Sequence, residues 1–364
     1  MRIPALTGTP TSSAARPRRG ARASIGGRVE KTAILGAGSW GTALATLLAG
    51  RCPVALWARD DALARAVEAA RQNQRYLPGV RLGPGIHVTS DLASALSGAA
   101  RVVFAVPSAG MATVAAAAAP LVAPGALIVS AAKGIDEHTG ARLSEVIAAG
   151  FAGVGADRPD VAALSGPNLA VEVARGIPTA SVAAAESAET ARRCQALWMG
   201  PTFRVYTSTD LVGVELAGAT KNVVAIGAGV CEGMGYGDNT RAALMTRGLA
   251  EITRLGTALG ARPNTFLGLA GVGDLIATGG SRLSRNYRVG VGLGGGRPLA
   301  SVLAELGQVA EGVPTLRAVR ALAARAGVEM PISEALHAVV FGGAPVAQTI
   351  AELMTRPPRD EAEF

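Results

Sequence analysis

The chain has 364 residues, more than one core usually organises, which predicts two domains of roughly 150 residues each. Hydrophobic residues make up 49% of it but aromatics only 4%, a balance that favours helices and buried parallel strands packed through Ala, Val, Leu and Gly over an aromatic-rich all-β sandwich. The formal charge of +8 does not signal a nucleic-acid partner, because Arg2, Arg16, Arg18, Arg19, Arg22, Arg28 and Lys31 gather at one end against Glu30 alone and the rest is nearly balanced.

Residues 1–28, rich in Pro, Ser, Gly and Arg with no apolar run, read as a disordered, solvated leader outside the fold. The ordered chain opens with a short apolar strand, Lys31 to Leu35, followed by GAGSWG and a helical run ending at Gly50. Val54 to Trp57 reads as a second strand and Asp61 to Ala70 as an amphipathic helix. Val102 to Val106, stopped by Pro107, Leu127 to Ser130 and Val161 to Leu164 continue the alternation. Strands alternating with helices predict a Rossmann-type, mostly parallel sheet that takes ligands at the carboxyl ends of its strands. From about Asp210 the apolar period is helical throughout, which predicts a Rossmann domain over 29–217 and an all-helical substrate domain over 218–364.

Between the first strand and the first helix, Gly36, Gly38 and Gly41 form G-x-G-x-x-G, with Ser39 and Trp40 in its variable positions. The first glycine allows a tight turn, the second lets backbone approach a pyrophosphate, and the third lets helix pack on strand. The helix amino terminus then faces the anion. In a chain with 47 glycines the pattern gains its meaning from this strand-turn-helix context. Trp40 is alternatively a core residue. At the end of the second strand, where a carboxylate would hold the ribose of NAD, the chain reads Trp57-Ala58-Arg59-Asp60. Arg59 favours the 2′-phosphate of NADP, while Asp60 keeps NAD open and Arg59 has a plain reading as a surface charge.

Of 35 basic residues only Lys31, Lys133 and Lys221 are lysine. Lys133 follows an apolar strand in SAAKGID, and Lys221 lies inside an apolar helix in GATKNVVAIGAG. A desolvated amine can give up its proton, which guanidinium effectively cannot, so both are candidates for acid-base work on a carbonyl or alcohol; the plain alternative is a lysine whose stem lies along a helix. Asp274, on the glycine-flanked turn AGVGDL, would order such amines, and Arg285 and Asn286 after Ser284 would bind an anionic substrate group.

Other chemistries find no support. His87, His138 and His337 lack metal-ligand spacing, and no GxSxG elbow accompanies them. Cys52, Cys194 and Cys231 are odd in number and scattered, which predicts reduced core residues. No stretch offers about 20 apolar residues uninterrupted by charge, Gly or Pro, and no signal peptide is recognisable, so the expectation is a cytoplasmic protein without membrane insertion.

Taken in order, GAGSWGTALA, VALWARD, VVFAVPS, AAKGID, LSGPNLAVEVARGIPTA, FRVYTSTDLVGVELAGATKNVVAIGAG, RGLAEITRLG, AGVGDL, SRNYRVG, QVAEGVPT and VEMPI closely resemble the bacterial NAD(P)-dependent glycerol-3-phosphate dehydrogenases, from about Thr32 to about Gly342. The resemblance implies interconversion of glycerol 3-phosphate and dihydroxyacetone phosphate with NADP or NAD, in glycerophospholipid precursor synthesis, by a homodimer. It also implies that Lys221 is the proton acceptor, that Lys133, Gly166, Asn168, Asp274, Ser284, Arg285 and Asn286 hold substrate, and that Ser39, Trp40, Arg59, Lys133, Ala170, Arg285, Val309 and Glu311 hold cofactor. Ala277 to Gly280 departs from the family pattern, which predicts a looser loop before Ser284. Rival readings are a lysine-dependent dehydrogenase of 3-hydroxy acids or 6-phosphogluconate, and a nucleotide-sensing protein without turnover; the intact Lys133, Lys221 and Asp274 weigh against the last.

Overall fold

The computed structural model describes residues 30–358, 360 and 361, so the leader expected over 1–28 lies outside the described residues. Strand β1 (Lys31–Leu35) leads through the glycine turn into helix α1 (Ser39–Leu48), and β2 (Val54–Trp57) into α2 (Asp61–Ala70). Asp60 starts α2 by accepting the Leu63 N–H, satisfying one of the four donors a helix start leaves open. There follow β3 (Ile86–Thr89), α3 (Leu92–Leu96), β4 (Ala99–Phe104), α4 (Ser108–Ala118), β5 (Leu127–Ser130), α5 (Leu143–Ala152), β6 (Val161–Ser165), α6 (Ala170–Ala174), β7 (Thr179–Ala184), α7 (Ala188–Trp198) and β8 (Phe203–Ser208).

The eight strands form one sheet in the order β3-β2-β1-β4-β5-β6-β7-β8, parallel except where β6 meets β7. Continuous burial of β1, β2, β5 and β6 follows from helices covering both faces. The chain reverses its winding between β1 and β4, so the crevice beyond Leu35 and Phe104 is the switch point at which such sheets take ligands. Three strands escaped the reading of the sequence: β3, β7 and β8.

After Ser208 every element among the described residues is helical. The expected division near Ala217 falls inside α8 (Leu211–Gly233), whose start is capped by Asp210 through the Gly213 N–H. Around α8 lie α9 (Asp238–Ala258), α10 (Pro263–Phe266), a π-turn over Leu269–Gly273, α11 (Asp274–Gly279), α12 (Arg285–Gly294), α13 (Leu299–Leu306), α14 (Gly312–Ala326), α15 (Pro331–Gly342) and α16 (Val346–Met354). By length and mean hydropathy α8 would suffice to cross a membrane, but glycines and the charges Glu215 and Lys221 interrupt its apolar run, as expected from the sequence, and nearly all of it is buried inside the protein. Glycines on α8 and α12 permit that burial: a Cβ at Gly229 of α8 would stand 2.1 Å from the Tyr287 carbonyl, and one at Gly290 of α12 would stand 2.0 Å from the Ile226 carbonyl. Backbone contact between α8 and α12 brings the amino end of α12 against the middle of α8.

Candidate active site

The glycine turn at the end of β1 has the build of an anion cradle. Gly36 holds φ +122, and a Cβ there would lie 2.6 Å from the Ala105 carbonyl; one at Gly41 would lie 1.9 Å from the Gly36 carbonyl. Neither position admits a side chain. At Gly38 a Cβ would meet no atom within 4 Å, so its absence leaves room in front of the α1 amino terminus, whose free backbone N–H groups suit an anion such as phosphate. These residues fit a dinucleotide. Trp40, half-buried, donates its indole N–H to the Ala131 carbonyl at 2.9 Å and so ties the turn to the end of β5.

Lys133 follows that strand end. Its ammonium donates to the Gly166 carbonyl at 2.8 Å and to Asp274 Oδ2 at 2.7 Å. Gly166, just past β6, has φ +146 and packs so closely that a Cβ would lie 3.0 Å from Ser181 Cα. Lys221, midway along α8, lies 3.1 Å from Asp274 Oδ1 and donates to Thr278 Oγ1 at 2.7 Å. Thr278 Oγ1 in turn donates to Asp274 Oδ1 at 3.0 Å. One carboxylate thus stands between two amines from different parts of the chain, and Lys221 and Asp274 are almost completely shielded from solvent.

Burial is the largest influence on Lys221, and with the cations Lys133 and Arg285 it outweighs the attraction of Asp274, lowering the amine to about 8. Burial alone would raise the Asp274 carboxyl, but Lys133 and Lys221 hold it below the ordinary carboxylate range. The cluster therefore contains a fixed anion and an amine able to change its protonation near neutral pH.

Thr278 was not anticipated. The segment Ala277 to Gly280, expected to be loose, is mostly helical: α11 runs to Gly279, Thr278 is buried, and a Cβ on Gly279 would press on Met245 at 3.1 Å. The signal was the spacing of Asp274 and Thr278, four apart and so on one helix face.

Arg285 opens α12 half-buried, with the charge of Glu311 acting on it. Its neighbours serve the fold: Ser284 caps α12 through the Tyr287 N–H, and Asn286 donates to Asn222 Oδ1 at 2.8 Å while accepting the Gly312 N–H at 2.9 Å. Asn168 donates to the Ala180 carbonyl and accepts from Ser181. Glu311 accepts the Ser108 N–H at 3.0 Å and the Ser108 hydroxyl at 2.5 Å, bridging the amino end of α4 to the helical part. Burial pushes its carboxyl up despite those bonds and Arg285. Ala170 begins α6, Val309 is 45% exposed, and Ser39 opens α1. Arg59 is exposed at the end of β2, while Asp60 is engaged in capping α2. No cluster of three metal-ligating side chains exists among the described residues.

Comparison with known proteins places these features in a family. The family described as NAD-dependent glycerol-3-phosphate dehydrogenase matches over both its parts, the N-terminus on residues 31–191 and the C-terminus on residues 210–351. A glycerol-3-phosphate dehydrogenase [NAD(P)+] of Moorella thermoacetica is 50% identical over 335 residues, covering 92% of this chain and 98% of that protein. One from Rhodospirillum rubrum is also 50% identical, covering 92% and 94%. The crystal structure of glycerol-3-phosphate dehydrogenase from Coxiella burnetii superposes with a TM-score of 0.85 at 36% identity, covering 90% of this chain and 99% of that one.

Proposed function

We propose for this chain the activity of the family to which it belongs, the NAD-dependent glycerol-3-phosphate dehydrogenases: it interconverts sn-glycerol 3-phosphate and dihydroxyacetone phosphate in glycerophospholipid precursor synthesis, using NAD(P). The observation that carries the reading is the buried group of Lys221, Asp274 and Lys133. When bound, the nicotinamide accepts the hydride from C2 of the alcohol or returns it to the ketone. In the oxidation neutral Lys221 takes the proton of the C2 hydroxyl as the carbonyl forms; in the reduction its ammonium returns that proton to the oxygen at C2. Lys133 holds the same oxygen as charge develops on it. Asp274 fixes the direction of both amines.

Arg285 takes the substrate phosphate, with Asn286 and Ser284 setting the start of its helix and Gly166 and Asn168 shaping the wall beside Lys133. Gly36, Gly38, Ser39, Trp40 and Gly41 receive the pyrophosphate, Arg59 reads a 2′-phosphate, and Ala170, Val309 and Glu311 complete the cofactor site. The proposal includes a cytoplasmic homodimer, checked by fractionation and sedimentation. Its central test is single-turnover oxidation of NADPH with dihydroxyacetone phosphate, unphosphorylated dihydroxyacetone and two other small ketoacids. Turnover confined to the phosphate ester supports it; equal turnover of the ketoacids replaces it with a broader hydroxy-acid dehydrogenase.

A further inference from the structure

Glu215 stands on α8 six residues before Lys221 and is buried, its side chain 7% exposed. Its carboxylate reaches across to the opposite part of the molecule. It accepts Arg142 Nη1 at 2.8 Å and the Ser144 N–H at 2.8 Å, and it takes the Ser144 hydroxyl as well. Arg142 and Ser144 form the start of α5, where backbone N–H groups have no partner within the helix and favour an anion. Glu145 supplies one from within, accepting the Arg142 N–H. Glu215 supplies the second from α8.

The segment fastened in this way carries Lys133. From Ala131 the chain loops out and returns through an antiparallel bridge between Ile135 and Arg142. Lys133 is therefore fixed at one side by the sheet and at the other by Arg142 and Ser144 on Glu215. Lys133, Ser165, Glu215 and Gly218 line one small cavity, and a Cβ on Gly218 would lie 2.5 Å from Ser165 Oγ and 3.8 Å from Lys133 Cγ. The helix that holds Lys221 thus also holds the loop of Lys133, through a carboxylate that touches neither amine.

We propose that Glu215 is a positioning residue: by binding Arg142 and Ser144 it locks the Lys133 loop in register with Lys221 and sets the spacing of the two amines about Asp274. The catalytic part of this statement rests on the proposed function, but the positional part does not. Burying a carboxylate merely to start α5 would be a costly choice when Glu145 already serves that end. With the tie cut, Lys133 leaves Asp274 more often, and Lys221 loses a neighbouring cation while keeping more of the anion.

The chain holds three lysines, so acetylation by acetic anhydride followed by peptide mass spectrometry reads each amine separately. Lys31, bound to the Ser94 and Ser97 carbonyls at the far end of β1, is the reference. In the full chain, Glu215→Gln is expected to raise labelling of Lys133 relative to Lys31 by about tenfold, through local opening, with no rise at Lys221. The same variant is expected to lower kcat for dihydroxyacetone phosphate by about 10- to 100-fold, the cost of a small misplacement at a reacting centre. The pH limb assigned to Lys221 should move up, and Glu215→Asp should restore part of both effects. Arg142→Gln, cutting the tie from the loop side, should repeat the pattern and serves if Glu215→Gln does not fold. A Lys133 labelling ratio within about twofold of wild type, or Lys133 and Lys221 rising together, overturns the positional claim. Altered labelling with unchanged kcat overturns its part in the reaction. A wild-type chain inert toward dihydroxyacetone phosphate would instead overturn the proposed function and leave the labelling result standing.

Discussion

Replacing Lys221 by arginine tests the acid-base assignment with least disturbance of charge. Burial and two neighbouring cations place the Lys221 amine at about 8, so below that pH the neutral form needed for alcohol oxidation falls about tenfold per unit, while the ammonium needed for ketone reduction saturates. Oxidation should rise with pH and level off above 8, and reduction should decline through the same range. Guanidinium stays protonated throughout, so Lys221→Arg should lose at least the ~10²-fold of general acid-base catalysis and lose the limb itself. The dinucleotide cradle is formed by the turn after β1, so NADPH affinity should survive. Asp274→Asn provides the opposite control: with the carboxylate gone, the influences that lower Lys221 act unopposed and the limb moves down. Stability also carries the sign. Between about 8 and the ordinary lysine value the unfolded chain binds the proton that native Lys221 does not, so this residue makes stability rise with pH across that window, an increment Lys221→Met should abolish. The assays are stopped-flow NADPH oxidation over pH 6–10, cofactor titration by fluorescence, and denaturant melts at the same pH values. A Lys221→Arg enzyme that transfers hydride within a few-fold of wild type, with its limb in place, would refute the assignment and transfer the proton to Lys133.

Neutralising exposed Arg59 should weaken NADPH by about 1–3 kcal/mol and NADH much less, as measured by titration; equal losses would remove it from recognition. Arg285→Lys should raise KM for dihydroxyacetone phosphate with little change in cofactor affinity, because a point charge replaces a planar fork; if unphosphorylated dihydroxyacetone served equally well in wild type, the phosphate role would fall. Glu251, buried on α9 and accepting the Ile332 and Ser333 N–H groups at the start of α15, is pushed up to about 7 by its burial. The native chain therefore binds a proton there that the unfolded chain does not between about 4.5 and 7, stability from this group falls as pH rises through that window, and Glu251→Gln should flatten the fall in denaturant melts. A chain beginning at Val29 should retain full activity, which the same kinetic assay checks.

What the sequence disclosed, it disclosed through local rules. The turn of Gly36 and Gly41 is legible because each position forbids a side chain against a specific carbonyl, and a strand and a helix flank it in the chain. Lys133 and Lys221 stood out because this protein otherwise uses arginine. The missed strands had weaker signals: β7, TASVAA, is mostly small residues, while β8 alternates Phe203 and Val205 inward with Arg204 and Tyr206 outward just before the helical run begins. That alternation was sufficient to find an edge strand, had the change in period at Asp210 not drawn the boundary over it.

The hidden part of the site is that made by distant pairs. Glu311 lies 203 positions from Ser108, and Glu215 lies 71 from Ser144; neither carboxylate carries any mark in its own neighbourhood of what it will accept. Yet both lie on α8 or at the start of α14 and both accept the amino end of a helix from the sheet, α4 in one case and α5 in the other. A buried acid on a helical core element has few affordable partners, since its charge must be met by several donors at once. Free N–H groups at helix starts are one such set. In this chain Glu215 and Glu311 fasten the two parts of the molecule together, and among the described residues Asp274 is the acid that meets two lysine amines, Lys133 and Lys221, instead of a helix end. That difference in partner, two long flexible cations from separate elements in place of rigid backbone donors, sets an anion that holds amines apart from anions that hold the frame around it.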